Sequence, residues 1–177
     1  MNKELQQKLY DKYPLIFAEK DLPMDQTCMC WGIDCGDGWY ELLDALCSEL
    51  TNLHHNTGLI VKACQVKEKF GTLRFYTNRF VDDKMVKMID GDWHLVAYRD
   101  ADGKLIKYTK PQLCDDDRDH GVADGAINMA ESMSSITCEL CGASHAKLRG
   151  GGWLVTWCDE CYEKEQAEKR RAGGKVG

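Results

Sequence analysis

The chain has 177 residues, of which 44% are apolar and 29% charged, and a formal charge of −6. That is enough for one ordinary core with a small appended module, in the balance of a soluble globular protein. No run nears the ~20 apolar residues of a membrane span, and a net-acidic chain is poorly suited to non-specific nucleic-acid binding, which rests on neutralising phosphates.

The acidity is uneven. Residues 81–128 carry seven basic and eleven acidic side chains, whereas residues 129–177 carry seven of each. The start, MNKELQQKLYDKYPLIF, shows no apolar signal core and no small-residue cleavage site, so a cytoplasmic protein with no membrane partner is expected. In a reducing compartment, ten cysteines point to thiolate–metal chemistry or buried free thiols, not to disulfides.

In chain order, Leu5 and Leu9 predict a short helix over 2–13, ended by Pro14. Residues 18–36 read as irregular. Asp37 is placed as the N-cap of a helix whose inner face is Trp39, Leu42, Leu43, Leu46, Leu50 and Leu53. Branched and aromatic residues at 59–67 and 72–77, around Gly71, predict an antiparallel hairpin. Residues 82–90 read as a short helix, and WHLVAYRDADGKLIKYTK as a second hairpin turning at Asp102-Gly103. The run 111–124 reads as an acidic, mobile loop, and 122–134 as a helix with Ala126, Ile127, Ala130 and Met133 on one side.

The densest signal follows. Cys138-x-x-Cys141 and Cys158-x-x-Cys161 stand sixteen residues apart, a spacing suited to a four-thiolate zinc site. Gly142 follows the first pair, Gly150–Gly152 supply a turn, and YEKEQAEKRR is a strong helix former. Knuckle, hairpin and helix in that order define a treble-clef-like zinc module. Four thiolates fill a tetrahedral shell, so the expected ion is structural. Cys28, Cys30 and Cys35, with Cys47, His54 or His55, form a weaker second candidate set, while Cys64 and Cys114 read as buried or incidental thiols.

No phosphate loop, H-E-x-x-H or G-x-S-x-G occurs, and the five histidines stand in no diagnostic context, so a non-enzyme is expected. The first hairpin carries a basic, aromatic face: Lys67, Lys69, Arg74 and Tyr76. Strand alternation puts Arg74 and Tyr76 opposite Leu73 and Phe75. Either an amphipathic strand with one wet face or a binding surface for an anionic ligand or partner explains this pattern.

YPLIF, CGDGW, VKEKFGTLRFY and AESMS leading into C-x-x-C…GGW…C-x-x-C together resemble a family of small proteins encoded by tailed bacteriophages and prophages. The resemblance covers about residues 8–78 and 125–165. It implies a phage accessory gene expressed in the bacterial cytoplasm and brings no activity with it. Residues 81–124 interrupt that pattern, and Cys28 and Cys30 are particular to this chain.

The expected fold class is α+β, a small antiparallel sheet with packed helices plus the zinc module. Residues 1–134 form the main domain with its insertion at about 81–124, residues 135–171 the module, and 172–177 a disordered tail. The leading functional expectation is a phage-encoded protein that binds and inhibits or redirects a host factor, such as an anti-phage defence component. A nucleic-acid-binding zinc module using Lys147, Arg149, Lys169, Arg170 and Arg171 is the first alternative. The second is a sponge for a nucleotide-derived signal, with Lys69 and Arg74 as anion contacts and Trp39 or Tyr76 stacking. Asp37, Trp39, Lys69, Arg74 and Tyr76 are the candidate ligand or partner surface.

Overall fold

The leucine series of residues 42–53 forms the expected helix, and most of the chain packs on it. In the computed structural model, which describes residues 1–171, this helix is α2 (Tyr40–Thr57), with Leu43, Leu46, Leu50 and Leu53 buried. The tail expected to be disordered, 172–177, lies outside the described residues. Gly58 ends α2 at φ +78°, donating its N–H to the His54 carbonyl at 2.8 Å in a left-handed cap. Helix α1 (Lys3–Lys12) is capped by the Asn2 side chain and tied to α2 by Tyr13, whose hydroxyl donates to the Asp44 carbonyl at 2.9 Å.

Asp37 does not cap α2. It opens a single 3-10 turn, 37–39, and its carboxylate accepts the Asn2 backbone and side-chain N–H groups at 2.6 and 2.7 Å. The acid therefore fastens the start of α1 to the start of α2.

The first hairpin pairs β2 (Leu59–Lys69) with β3 (Thr72–Val81), with one register shift between Ala63 and Gln65. A two-residue strand β1 (Ile33–Asp34) adds in parallel to β2, giving the order β1-β2-β3. β3 is thus an edge, and its outward N–H groups need partners. Helix α3 (Asp116–Ser134) supplies them. Ser134 Oγ accepts from Leu73 N at 2.8 Å and Glu131 Oε1 from Phe75 N at 2.9 Å. Ala130, next to Glu131, is buried. The AESMS stretch is a side-chain seal for a sheet edge.

Two expectations for residues 81–124 are corrected. Residues 82–90 form a turn followed by strand β4 (Val86–Ile89), which pairs with β5 (Asp92–Arg99) across an Asp90-Gly91 turn. Both turn residues have positive φ, +52° and +94°, as a tight hairpin demands. Strand β6 (Leu105–Leu113) follows the expected Asp102-Gly103 turn and completes a second sheet, β4-β5-β6. Pro111 is tolerated because β6 is an edge. The acidic run is helical, not a loop. Asp115 caps α3, accepting from Arg118 N at 3.0 Å, and Asp116, Asp117 and Asp119 sit in the first turn, where the helix dipole favours negative charge.

The second sheet has a small apolar cluster of its own, Met85, Val86 and Leu95, and β5 packs on α2. A buried polar contact joins them. Asp82 Oδ2 meets His54 Nε2 at 3.2 Å and accepts from Arg99 at 3.0 Å, while Asp82 Oδ1 accepts from Lys84 N at 2.9 Å. His54 is accordingly neither surface residue nor metal ligand. Burial is the largest influence on its imidazole and lowers its pKa against the opposing pull of Asp82. Burial also opposes ionisation of Asp82, yet the Lys84 N–H, Arg99 and His54 outweigh it and hold the carboxyl below its ordinary value.

These shifts set the sign of a pH dependence. A histidine with a lowered folded pKa takes its proton first in the unfolded chain, near pH 6.5. Stability is therefore expected to fall as pH drops from about 6.5. Chemical denaturation of the wild type and His54→Gln between pH 7.5 and 5.5 checks this, with a shallower decline expected for the variant.

Candidate metal centre

The two cysteine pairs come together on three short elements. The first pair wraps a knuckle in which Cys138 N donates to Ala143 O and Gly142 N to Cys138 O, each at 2.8 Å, with Gly142 at φ +78°. Strands β7 (Lys147–Arg149) and β8 (Val155–Trp157) form the returning hairpin. Helix α4 (Asp159–Arg171) opens between Cys158 and Cys161, and its first turn donates Cys161 N toward Cys158 Sγ at 3.4 Å. The four sulfurs lie within 4.8 Å of one another, and Cys141 and Cys158 are 3.7 Å apart. Four sulfurs about 2.3 Å from a tetrahedral ion stand ~3.8 Å apart, so this donor set is able to hold a metal. Burial works against ionisation of Cys138, yet the backbone N–H groups of Cys158, Cys141 and Leu140 outweigh it and bring the thiol down to about 7.

The knuckle is seated on the main core by backbone contacts. Gly38 N donates to Glu139 O at 2.8 Å, Gly36 N to Glu139 Oε1 at 3.0 Å, and Trp39 Nε1 to Thr137 O at 2.9 Å. A Cβ at Gly36 would overlap the Glu139 carbonyl, and one at Gly38 would overlap Cys138 O and stand 2.7 Å from Cys141 N. Those glycines exist for close approach. On the other side, Glu139 N donates to Thr156 O at 2.9 Å, and the fully buried Thr156 hydroxyl donates to Gly71 O at 2.5 Å. The glycine of the first hairpin turn thus touches the metal lobe directly.

Trp39 is a correction. It is 0% exposed and part of the core, so it offers no stacking surface. Asp37 is engaged with Asn2 as described. Lys69, Arg74 and Tyr76 do remain at the surface, where Arg74 stands opposite Lys67 in the ladder and Lys67 Nζ lies 5.5 Å from the Tyr76 ring centre. Lys69 sits at the strand end with its Nζ 5.3 Å from the Phe70 ring.

Among the described residues no second group of three or more metal donors gathers. Cys30 donates to Thr27 O at 3.3 Å, Cys35 is held as a thiol by burial that raises its pKa to about 12, and burial likewise raises Cys47. Of the zinc-end cations, Lys147 and Arg149 both bind Asp159, and Lys169 lies 3.4 Å from Glu165. Sequence reasoning missed Glu139 and Thr156, which carry no motif of their own, and Gly36, Gly38 and Gly71 as docking residues. No helix among the described residues is long and apolar enough to cross a membrane. Comparisons with protein-family models, curated proteins and solved structures gave no match.

The docking contact has a direct test. Gly38→Ala is expected to destabilise the chain by about 3 kcal/mol through overpacking against immobile backbone. Gly125→Ala on α3, with nothing within 4 Å of its added Cβ, is expected to stabilise by about 1 kcal/mol. Urea denaturation of both variants measures the contrast.

Proposed function

We propose that the chain is a phage-encoded accessory protein of the bacterial cytoplasm, in which the four cysteines hold one zinc ion as a structural staple. It acts by binding a host protein, such as an anti-phage defence component, and inhibiting or redirecting it without chemistry of its own. The observation that carries this reading is the site's donor set. Four sulfurs at tetrahedral spacing complete the shell of a zinc ion and leave no position for a reacting water. The resemblance to phage proteins supplies the biological setting. Its most specific motifs are accounted for by architecture: CGDGW seats the knuckle, the Gly71 turn meets Thr156, and AESMS seals β3.

Recognition then falls to the surface, and the outer face of β2 and β3 is the best suited. Lys67 and Arg74 are cross-strand neighbours on it, and the Glu131 carboxylate 3.9 Å from Arg74 offsets part of the repulsion between them. Tyr76 and Phe80 are exposed on the same face, with Lys67 and Lys62 against their rings at 5.5 and 4.4 Å. Aromatic rings beside cations suit an acidic protein surface.

Two experiments address the two halves of the proposal. Elemental analysis of purified protein is expected to give one zinc per chain, and chelation to expose the amides of residues 138–162 to hydrogen exchange while α2 and β2 stay protected. A lobe that remains protected after metal removal contradicts the structural role. In a pull-down from host cells, Lys67→Glu with Arg74→Glu is expected to reduce partner capture at least tenfold with zinc content unchanged.

A further inference from the structure

Helix α3 commits only part of its circumference to the fold. One side is buried through Ala123, Ile127, Ala130 and Ser134, and beside it Asp124 and Glu131 are engaged by Arg79 and by the edge of β3. The remaining face is of another kind. Val122, Met129 and Met133, with Ile136 in the turn that ends the helix, are 42, 64, 42 and 48% exposed. With half-buried Ala126 they recur at alternating steps of four and three residues, which keeps them in one strip along the helix. Beside the strip run Gly121, Gly125, Asn128, Ser132 and Ser135, all exposed, and a Cβ added at either glycine would meet nothing within 4 Å.

Between residues 121 and 136 the only charges are Asp124 and Glu131, both on the side already engaged, in a chain of which 29% is charged. An uncharged, apolar helix face left bare is unusual on a globular surface. Charge and pattern together say what covers it. A strip without charges offers nothing to an acidic or a basic partner. A chain of formal charge −6 repels its own copies over most of its surface, and along this strip that repulsion is least.

The residues are also placed symmetrically about Met129. Val122 and Ile136 stand seven positions to either side of it, Gly125 and Met133 four, and Ala126 and Ser132 three. Two such helices laid antiparallel, with a two-fold axis at Met129, set Met133 of one copy over the bare Gly125 of the other and Ala126 against Ser132. Val122 then meets Ile136 at each end, and Met129 meets Met129 at the centre. That is the self-complementarity a two-fold contact requires, and it lays each helix dipole against the reverse of the other.

We infer that α3 pairs with α3 of a second copy, antiparallel and centred on Met129, to form a two-fold dimer. The strip is about 21 Å long at 1.5 Å per residue. One helix face of that length falls short of the ~800 Å² per partner of a stable interface, so the dimer is weak and concentration-dependent. The contact uses neither the β2–β3 face nor the cysteine cluster, and it stands whether or not those have the roles proposed above.

Sedimentation velocity of the purified full chain between about 5 and 500 µM tests this, because a weak pair dissociates within that span. The wild type is expected to move from monomer towards dimer, and Met129→Glu, at an exposed position, to stay monomeric with unchanged circular dichroism. Charge tests the register. Met133→Lys and Gly125→Glu are each expected to weaken association at least tenfold, and the two together to restore it, because position 125 of one copy faces 133 of the other. A wild type that stays monomeric throughout, wild-type association in Met129→Glu, or a double variant no tighter than the single ones overturns the dimer. A monomeric wild type whose capture of host protein, or co-sedimentation with phosphatidylglycerol vesicles, is lost in Met129→Glu also overturns it and assigns the face to that occupant.

Discussion

Backbone-to-backbone contact between Gly36–Gly38 and the first cysteine knuckle is the constraint on which the rest of this molecule depends. The hydrogen bond from Gly38 N to Glu139 O, and the close approach of Gly36 to the same carbonyl, bring main chains together where no side chain fits. The same segment begins α2 and carries Trp39, whose indole is buried in the core and bonded to Thr137 O. Core packing therefore fixes the platform on which the knuckle sits. The lobe has little with which to hold itself. Among the described residues from 135 onward only Cys138, Ala146 and Thr156 are buried. The glycine platform and a sulfur cluster able to hold a metal stand in for an apolar core, which a segment this short cannot build.

Legibility in the sequence followed the strength of local periodicity. The leucines of α2 and the branched residues of β2 and β3 repeat over many positions, and the helix and hairpin were read nearly to their ends. The metal donors were legible because C-x-x-C pairs at that spacing have few other physical uses. The failures have physical causes as well. Trp39 sits at helical spacing with the leucines, and the structure puts it with them in the core and not on a stacking surface. Asp90-Gly91 is a strong turn signal, yet the short strand before it, VKMI, alternates too briefly to declare its period. The run 111–124 reads as an acidic loop because its charges outweigh its propensity, although negative charge is what a helix start stabilises. Contacts such as Ser134 with Leu73, 61 positions apart, leave no local trace.

The arrangement also explains why one face of the first sheet is free. α3 is committed to sealing the edge of β3 through Ser134 and Glu131, and α2 covers the inner face through its leucines. The second sheet is anchored through Asp82, which collects His54 from α2, Arg99 from β5 and the Lys84 amide. Asp82 immediately follows β3, so the chain leaves the first sheet for the second at the end far from the cysteine lobe's contact at Gly71. The exposed cations and rings of β2 and β3 lie between these two attachments, on strands that are held at both ends. A rigid strand face loses little conformational freedom when a partner covers it.

The four-sulfur cluster and the groove beside it are one matter of geometry. Trp157 ends β8 immediately before Cys158, and Tyr162 and Gln166 follow Cys161 on α4. Because Cys158 and Cys161 belong to one sulfur cluster, an ion held there would set the angle at which α4 leaves the hairpin. α4 has no fully buried residue, and besides the cysteines it is held to the hairpin by Asp159, paired with Lys147 and Arg149, and by Tyr162 beneath the Arg149 guanidinium. A four-sulfur shell would leave an ion no position for a reacting water, so its effect would be to order the hairpin and the helix it joins. The groove between β8 and α4 is thus shaped by the same cluster that ties those two elements together.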